Sequence, residues 1–280
     1  MRKLGPLRHL ALDLDGTLYL GGRLFPCTVP FLNNIRELGI GRTFFTNNSS
    51  VSTRGYVDKL QALGIDAEAG EIYSSTTATL AHLKAQVPAP ATLFVLGTPA
   101  LRQEFADHGF RVCGHPGGGT DADGEVPDAV VVGFDPSLDY PRLCRAAYWI
   151  SRGKPYVATN GDLVCPTDLP TVLPDCGSVC RLLAAATGRE PDAVLGKPAP
   201  AMLGGVMRRH GLRPEEVAVV GDRLYTDIAM ARAAGVVGVL VLTGEATRDQ
   251  AASASIRPDL IVEDVGELAQ LLAESRKGTL

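Results

Sequence analysis

His9-Leu10-Ala11-Leu12-Asp13-Leu14-Asp15-Gly16-Thr17 is the stretch from which the fold can be read. A short apolar run ends in two carboxylates two residues apart, and a glycine and a threonine follow at once. Alternate residues of a strand point to one face, so a strand that continued would place both carboxylates on the same side. A strand that stops there presents them in the crevice beyond its carboxyl end, where open α/β sheets bind ligands. Such a pair can hold a divalent cation, with one carboxylate as nucleophile and the other as acid/base. The same five letters also describe an ordinary surface turn, so the choice depends on the rest of the chain.

Working outward, apolar runs at 41–45, 217–220, 236–242 and 260–262 read as buried strands, with helical patterns over 29–38, 225–234 and 267–274. Apolar strands alternating with amphipathic helices predict a parallel sheet covered on both faces. Leu18 through Leu24 reads as a β-hairpin turning at Gly21-Gly22. The middle of the chain has its own series, with strands at 92–96, 129–132 and 156–158 and helices at 99–108, 140–151 and 178–186. Glycine-rich 115–124 reads as a flexible loop. Residues 83–187 are therefore expected to form a second α/β domain inserted into a first one built from 1–82 and 188–280.

Composition narrows the function classes. The 280 residues are 45% hydrophobic and 21% charged, as in a soluble globular protein. A formal net charge of −4 and a pI near 5.8 give no electrostatic case for a nucleic acid or an acidic membrane as partner. The N-terminal apolar run is broken by Gly5, Pro6 and His9 and does not read as a signal peptide. The longest uncharged apolar run, 235–244, is too short to span a bilayer, so a cytoplasmic protein is expected. Six cysteines without C-x-x-C spacing and five scattered histidines argue against zinc or a disulfide framework. Cys176 and Cys180, four apart on one helix face, read as buried small apolar residues.

Three further segments carry polar groups where a strand ends or a helix begins. Thr46-Asn47-Asn48-Ser49-Ser50 follows the apolar run 43–45. A helix start supplies free N–H groups that can hold a phosphate, though the same residues also serve as plain N-caps. Leu195-Gly196-Lys197-Pro198 fixes a lysine between two backbone-restricting neighbours, where a solvated surface charge is the ordinary alternative. Gly221-Asp222-Arg223-Leu224-Tyr225-Thr226-Asp227 places two acids around one turn at the end of another apolar strand. One acid near a helix start is merely favourable. Two, in a chain already carrying Asp13 and Asp15, predict a hard all-oxygen site of the kind Mg²⁺ prefers.

In chain order, D-x-D-G-T at 13–17, T-N-N at 46–48, G-K-P at 196–198 and G-D-x-x-x-x-D at 221–227 resemble the haloacid dehalogenase superfamily of phosphatases. About thirty residues separate Asp15 from Thr46, too few for a lid, whereas the interval from Thr46 to Lys197 is long. That spacing resembles the branch with a large α/β cap after the second motif, on a Rossmann-like, doubly wound parallel-sheet core. Val131 to Asp135, Ala158 to Asp162 and Ala186 to Glu190 resemble the NagD or 4-nitrophenylphosphatase subgroup. The resemblance implies that Asp13 attacks phosphorus to form an aspartyl phosphate, and that Asp15 protonates the leaving alcohol and then activates water. It implies Mg²⁺ held by the carboxylates of Asp13 and Asp222 and the carbonyl of Asp15, with Asp227 behind them or holding a metal-bound water. Thr46 and Lys197 would hold the phosphoryl oxygens, with Asn47 and Asn48 adding donors.

An acid at Asp15 resembles the phosphatases and mutases of the superfamily, and the short gap after it argues against the mutases. Asn160, Asp162 and the Cys165-Pro166-Thr167 turn are the candidates in the inserted domain for lining the active-site mouth, with loop-capping as their alternative. Relatives that hydrolyse pyridoxal phosphate carry histidine where Cys165 aligns and arginine where Ser50 aligns. The expected partner is a small phosphorylated metabolite, with sugar phosphates, phosphoglycolate, glycerol phosphate and nucleoside monophosphates all open. A homodimer through the cap is compatible with this. The competing readings are a phospho-ligand binding protein without turnover and a phosphotransferase.

Overall fold

The computed structural model describes residues 4–114, 125–167 and 170–277; the loop expected at 115–124 lies outside them. The chain forms two compact units, one of Met1–Thr46, Val57–Tyr73 and Lys197–Leu280, the other of Asn47–Tyr56 and Ser74–Gly196.

The first unit is organised by His9–Asp13, whose five residues are all buried. This strand runs parallel to Val217–Gly221 on one side and Gly41–Thr46 on the other, and the six-stranded sheet has the order Leu260–Val262, Val237–Val241, Val217–Gly221, His9–Asp13, Gly41–Thr46, Ile72–Ser74. A strand enclosed by neighbours on both edges and covered on both faces has no polar surface to meet, so it is apolar throughout its middle. Thr28–Glu37 shows how the sheet is covered: Phe31, Leu32 and Ile35 are buried at helical spacing, and the helix packs on Val265–Lys277. Burying those three side chains is worth roughly 6 kcal/mol as an upper estimate. From His9–Asp13 the chain crosses to Gly41–Thr46, whereas from Val217–Gly221 it continues the opposite way to Val237–Val241. The crevice between these two central strands is therefore the topological switch point, where such sheets place their ligands.

The second unit holds a five-stranded parallel sheet in the order Ala193–Val194, Tyr156–Ala158, Ala129–Val132, Thr92–Leu96, Arg111–Cys113. Its strands show the two-residue alternation directly. Phe94, Leu96, Val130 and Val132 pack with Ala146, Ile150, Cys176 and Cys180 on one face, while Leu93, Val95, Ala129 and Val131 pack with Leu101 and Phe105 on the other. This unit is larger than the expected 83–187. The helix Ser75–Gln86 adds Leu80 and Leu83 to the second cluster, and Ala193–Val194 pairs with Tyr156–Ala158 as an edge strand of two residues.

Near the first strand, Tyr19–Leu20 pairs antiparallel with Arg23–Leu24 around Gly21-Gly22, the hairpin expected there. The helix expected over 225–234 instead opens as a single π-helical turn, Leu224–Ile228, before Ala229–Ala234. Such turns are rare and gather at functional sites.

Candidate active site

The parallel register sets the site. Leu12 lies opposite Val220 and Asp13 opposite Phe45, so Asp13 and Thr46 close two adjacent strands and Asp222 directly follows Gly221 at the end of a third, all within one residue of the same level. Lys197 comes from the segment before the helix Ala201–His210. It forms ion pairs with Asp13 and with Asp227, the latter at 2.7 Å. Lys197 is 4% exposed, Asp222 3% and Asp227 fully buried. Ligand oxygens of Asp13, Asp222 and Asp227 lie within 4.8 Å of one another.

Three carboxylates around one ammonium leave negative charge uncompensated. At about 4 Å and an effective dielectric of 20, each like-charge pair costs about 4 kcal/mol. Burial, and then the neighbouring acids, push Asp13 up to about 8, with Lys197 pulling against them. Burial and Asp227 raise Asp222 to about 6. Burial alone would lower the Lys197 pKa, but Asp13 and Asp227 together raise it above the ordinary lysine range. Asp222 Oδ2 accepts from the Glu245 N–H at 2.7 Å, while the buried Oδ1 has no hydrogen-bond partner. A buried carboxylate oxygen without a donor, in an all-oxygen cluster of net negative charge, fits a divalent cation as ligand.

The backbone around these acids is shaped by small residues. Gly16 has φ +85°, a conformation costly for other residues, and a Cβ there would run into the Asp222 carboxylate. Gly244 is likewise pressed against the Asp222 carboxyl and Gly221 against that of Asp227. Thr243 Oγ1 donates to the Gly16 carbonyl at 2.6 Å, and Thr17 Oγ1 to Asp13 Oδ2 at 3.3 Å. The π-helical turn brings Asp227 Oδ2 to the Arg223 N–H and the Thr226 hydroxyl, both at 3.3 Å.

Asp15 stands apart from the buried cluster, half-buried, with Lys59 Nζ 3.9 Å from its Oδ2. Burial raises its pKa, opposed first by Lys59. Arg223, a second cation near Asp15, is paired with Glu245 at 2.9 Å.

In the second unit, Asn47 directly follows Thr46 and is fixed by several bonds. Its Nδ2 donates to both Asp162 oxygens at 3.1 Å, and its carbonyl accepts from Asn160 Nδ2 at 2.8 Å and Ser75 Oγ at 2.7 Å. Asp162 N–H in turn donates to Asn160 Oδ1 at 2.9 Å. Asn160 and Asp162, expected to line a mouth, thus hold the second motif. Asn48 Oδ1 accepts from Ser50 N–H at 2.9 Å, closing a local turn. The structure brings together Asp13, Lys197, Asp222 and Asp227 in one unit, and Asn47, Asn160 and Asp162 in the other. Sequence reading missed Lys59, Thr243, Gly244 and Glu245. Only the last three carried any signal, as a threonine, glycine and acid at the end of an apolar strand.

The chain is similar to known hydrolases along most of its length. The haloacid dehalogenase-like hydrolase profile matches residues 10–111, and a HAD-hydrolase-like profile matches 194–268. The chain is 31% identical over 256 residues to the 5′-nucleotidase YutF of Bacillus subtilis, covering 91% of this chain and 95% of that one. The 4-nitrophenylphosphatase of Thermotoga maritima superposes with a TM-score of 0.88 at 38% identity, over 96% of this chain and 98% of the other. A glycerol phosphate phosphatase of Mycobacterium tuberculosis, solved with magnesium, gives a TM-score of 0.86 at 34% identity, over 95% and 78% of the two chains. The same enzyme is also known with calcium. The chain belongs to the haloacid dehalogenase-like hydrolase family. Within it, the chain is an enzyme of the phosphatase type, with the Rossmann-like core and inserted cap of those phosphatases.

Proposed function

We propose that this chain is a Mg²⁺-dependent phosphatase of small phosphorylated metabolites, working through an aspartyl phosphate on Asp13. The observation that carries this reading is the switch-point cluster, in which Asp13 meets one buried ammonium, two further acids and an unpartnered Asp222 oxygen. A carboxylate nearing a phosphate dianion is repelled, so a nucleophile there requires compensating positive charge. Lys197 supplies one such charge, and Mg²⁺, when bound by Asp13, Asp222 and the Asp15 carbonyl, supplies the rest.

In the first step an Asp13 oxygen attacks phosphorus as the ester bond breaks, and Asp15 gives its proton to the departing alcohol oxygen. Asp15 then takes a proton from water, which attacks the same phosphorus and returns Asp13 with release of inorganic phosphate. Thr46 and Lys197 hold the phosphoryl oxygens. Asn47 contributes through its backbone N–H, because its side-chain amide already donates to Asp162. A cytoplasmic setting is part of this reading; no helix among the described residues is long and apolar enough to cross a membrane. Light scattering tests whether the chain dimerises.

The test is phosphate release from 4-nitrophenyl phosphate. Asp13→Asn should lose at least a thousandfold in kcat with its thermal unfolding little changed, and substantial turnover would refute the aspartyl-phosphate route. Asp15→Asn should slow alkyl esters far more than aryl esters, whose leaving groups need no proton. Equal losses on both would remove Asp15 from the acid's role.

A further inference from the structure

We infer that Lys59 reads negative charge on the alcohol half of the substrate, making this enzyme selective for phosphate monoesters whose leaving alcohol bears a carboxylate. The inference rests on the phosphatase reading above and adds a substrate class to it. Lys59 lies on the helix Thr53–Ala62, with its ammonium 4.1 Å above the ring centroid of the fully buried Tyr19. A ring face attracts a cation, and the long lysine stem packs well on apolar surface. The side chain is therefore held at one spot, and it is 35% exposed.

Its only ion-pair partner among the described residues is Asp15, at 3.9 Å, and that distance is too long for a hydrogen bond. Each of the other cations near the acids has a close partner. Lys197 is bound to Asp13 and Asp227, and Arg223 to Glu245. Lys59 is thus the one cation beside the proton-transferring carboxyl whose ammonium donates no hydrogen bond to a described residue.

The leaving oxygen has to come within hydrogen-bond reach of Asp15 to receive its proton. A carboxylate one carbon beyond that oxygen lies roughly 3 Å further on by ordinary bond lengths, which is within reach of an ammonium 3.9 Å from the same carboxyl. Without Lys59, a second anion would enter a site already lined by Asp13, Asp15, Asp222 and Asp227. With it, the anion gains a charge-assisted hydrogen bond.

Carboxymethyl phosphate and its neutral carboxamide, nearly equal in shape, separate charge from size. Lys59→Met should lower kcat/KM for the carboxylate ester by tenfold or more, chiefly through KM, and lower that for the carboxamide less than threefold. Lys59→Arg should restore most of the ratio. An unchanged ratio in Lys59→Met overturns the proposal. So do equal losses on both esters, which would mean that Lys59 only supports Asp15. Wild-type enzyme inactive on both esters and on 4-nitrophenyl phosphate would instead sink the phosphatase reading. Thermal unfolding of each variant confirms that the comparison is between folded proteins.

Discussion

At the scale of single residues, Lys197 is held on two sides by buried acids. It is a buried ammonium facing Asp13 and Asp227, with Asp222 alongside. Removing one partner of a buried ion pair leaves uncompensated charge and costs about 3–5 kcal/mol. Lys197→Met should therefore lose about that much stability, read from urea unfolding in the presence of a chelator, and should also lose turnover. Mg²⁺ should recover part of the lost stability, because a cation bound only to the folded form stabilises it by mass action. If the loss is under about 1 kcal/mol with chelator present, the cluster is better hydrated than the geometry indicates. Asn47 is held differently: its side-chain N–H groups donate to both Asp162 oxygens, while its backbone carbonyl accepts from Asn160 and Ser75. Asp162→Ala would free that amide, and the resulting looseness in the second motif should raise KM for 4-nitrophenyl phosphate several-fold.

At the scale of elements, strand ends and the turns that follow them do most of the positioning. The turn after Val237–Val241 places Gly244 against Asp222 while the Glu245 N–H holds Oδ2 of the same carboxyl. Groups that orient a metal ligand commonly alter affinity 10–100-fold when changed. Gly244→Ala should thus raise the Mg²⁺ concentration for half-maximal activity at least tenfold, with kcat at saturating metal reduced much less. An unchanged metal requirement would show that the turn yields to the added methyl. The longer elements were legible in the sequence because three or four apolar residues in a row between polar or turn signals leave few alternatives, as at His9–Asp13 and Val217–Gly221. Ile72–Ser74, Arg111–Cys113 and Ala193–Val194 were not, since two or three residues show no period and exist as strands only through their neighbours. Asp13 and Asp222 were legible because charge at the end of an apolar run is conspicuous, and Lys197 because it stands between a glycine and a proline. Lys59 was not, because a lysine on a helix gains its role only from residues distant in sequence. The π-helical turn was hidden for a related reason: its register is set by Asp227 reaching back to Arg223 and Thr226.

At the scale of the whole molecule, the central strand of the first unit carries titratable groups buried at both ends. Asp13 closes one end, and His9 opens the other with Nε2 2.8 Å from Thr43 Oγ1 and its ring 4.8 Å from that of His210. Burial, and then His210, lower the His9 pKa from 6.5 to about 4. The imidazole is therefore neutral in the folded protein at pH values where the unfolded chain would already be protonated. In that window the unfolded state binds more protons, so stability rises with pH and is lost as pH falls from about 6.5 toward 4. The full loss amounts to about 3 kcal/mol, of which roughly 2 kcal/mol is felt by pH 5. Other groups titrate over the same range, so the informative quantity is the difference between the wild type and His9→Gln, which keeps a polar group near Thr43 without a titrating ring. With Mg²⁺ saturating in both, urea unfolding free energies at pH 7.5, 6 and 5 should converge or cross as the pH drops, because only the wild type must keep an imidazole uncharged. A difference that stays constant from pH 7.5 to 5 would mean that His9 titrates alike in the folded and unfolded chains, and that water reaches the start of the strand.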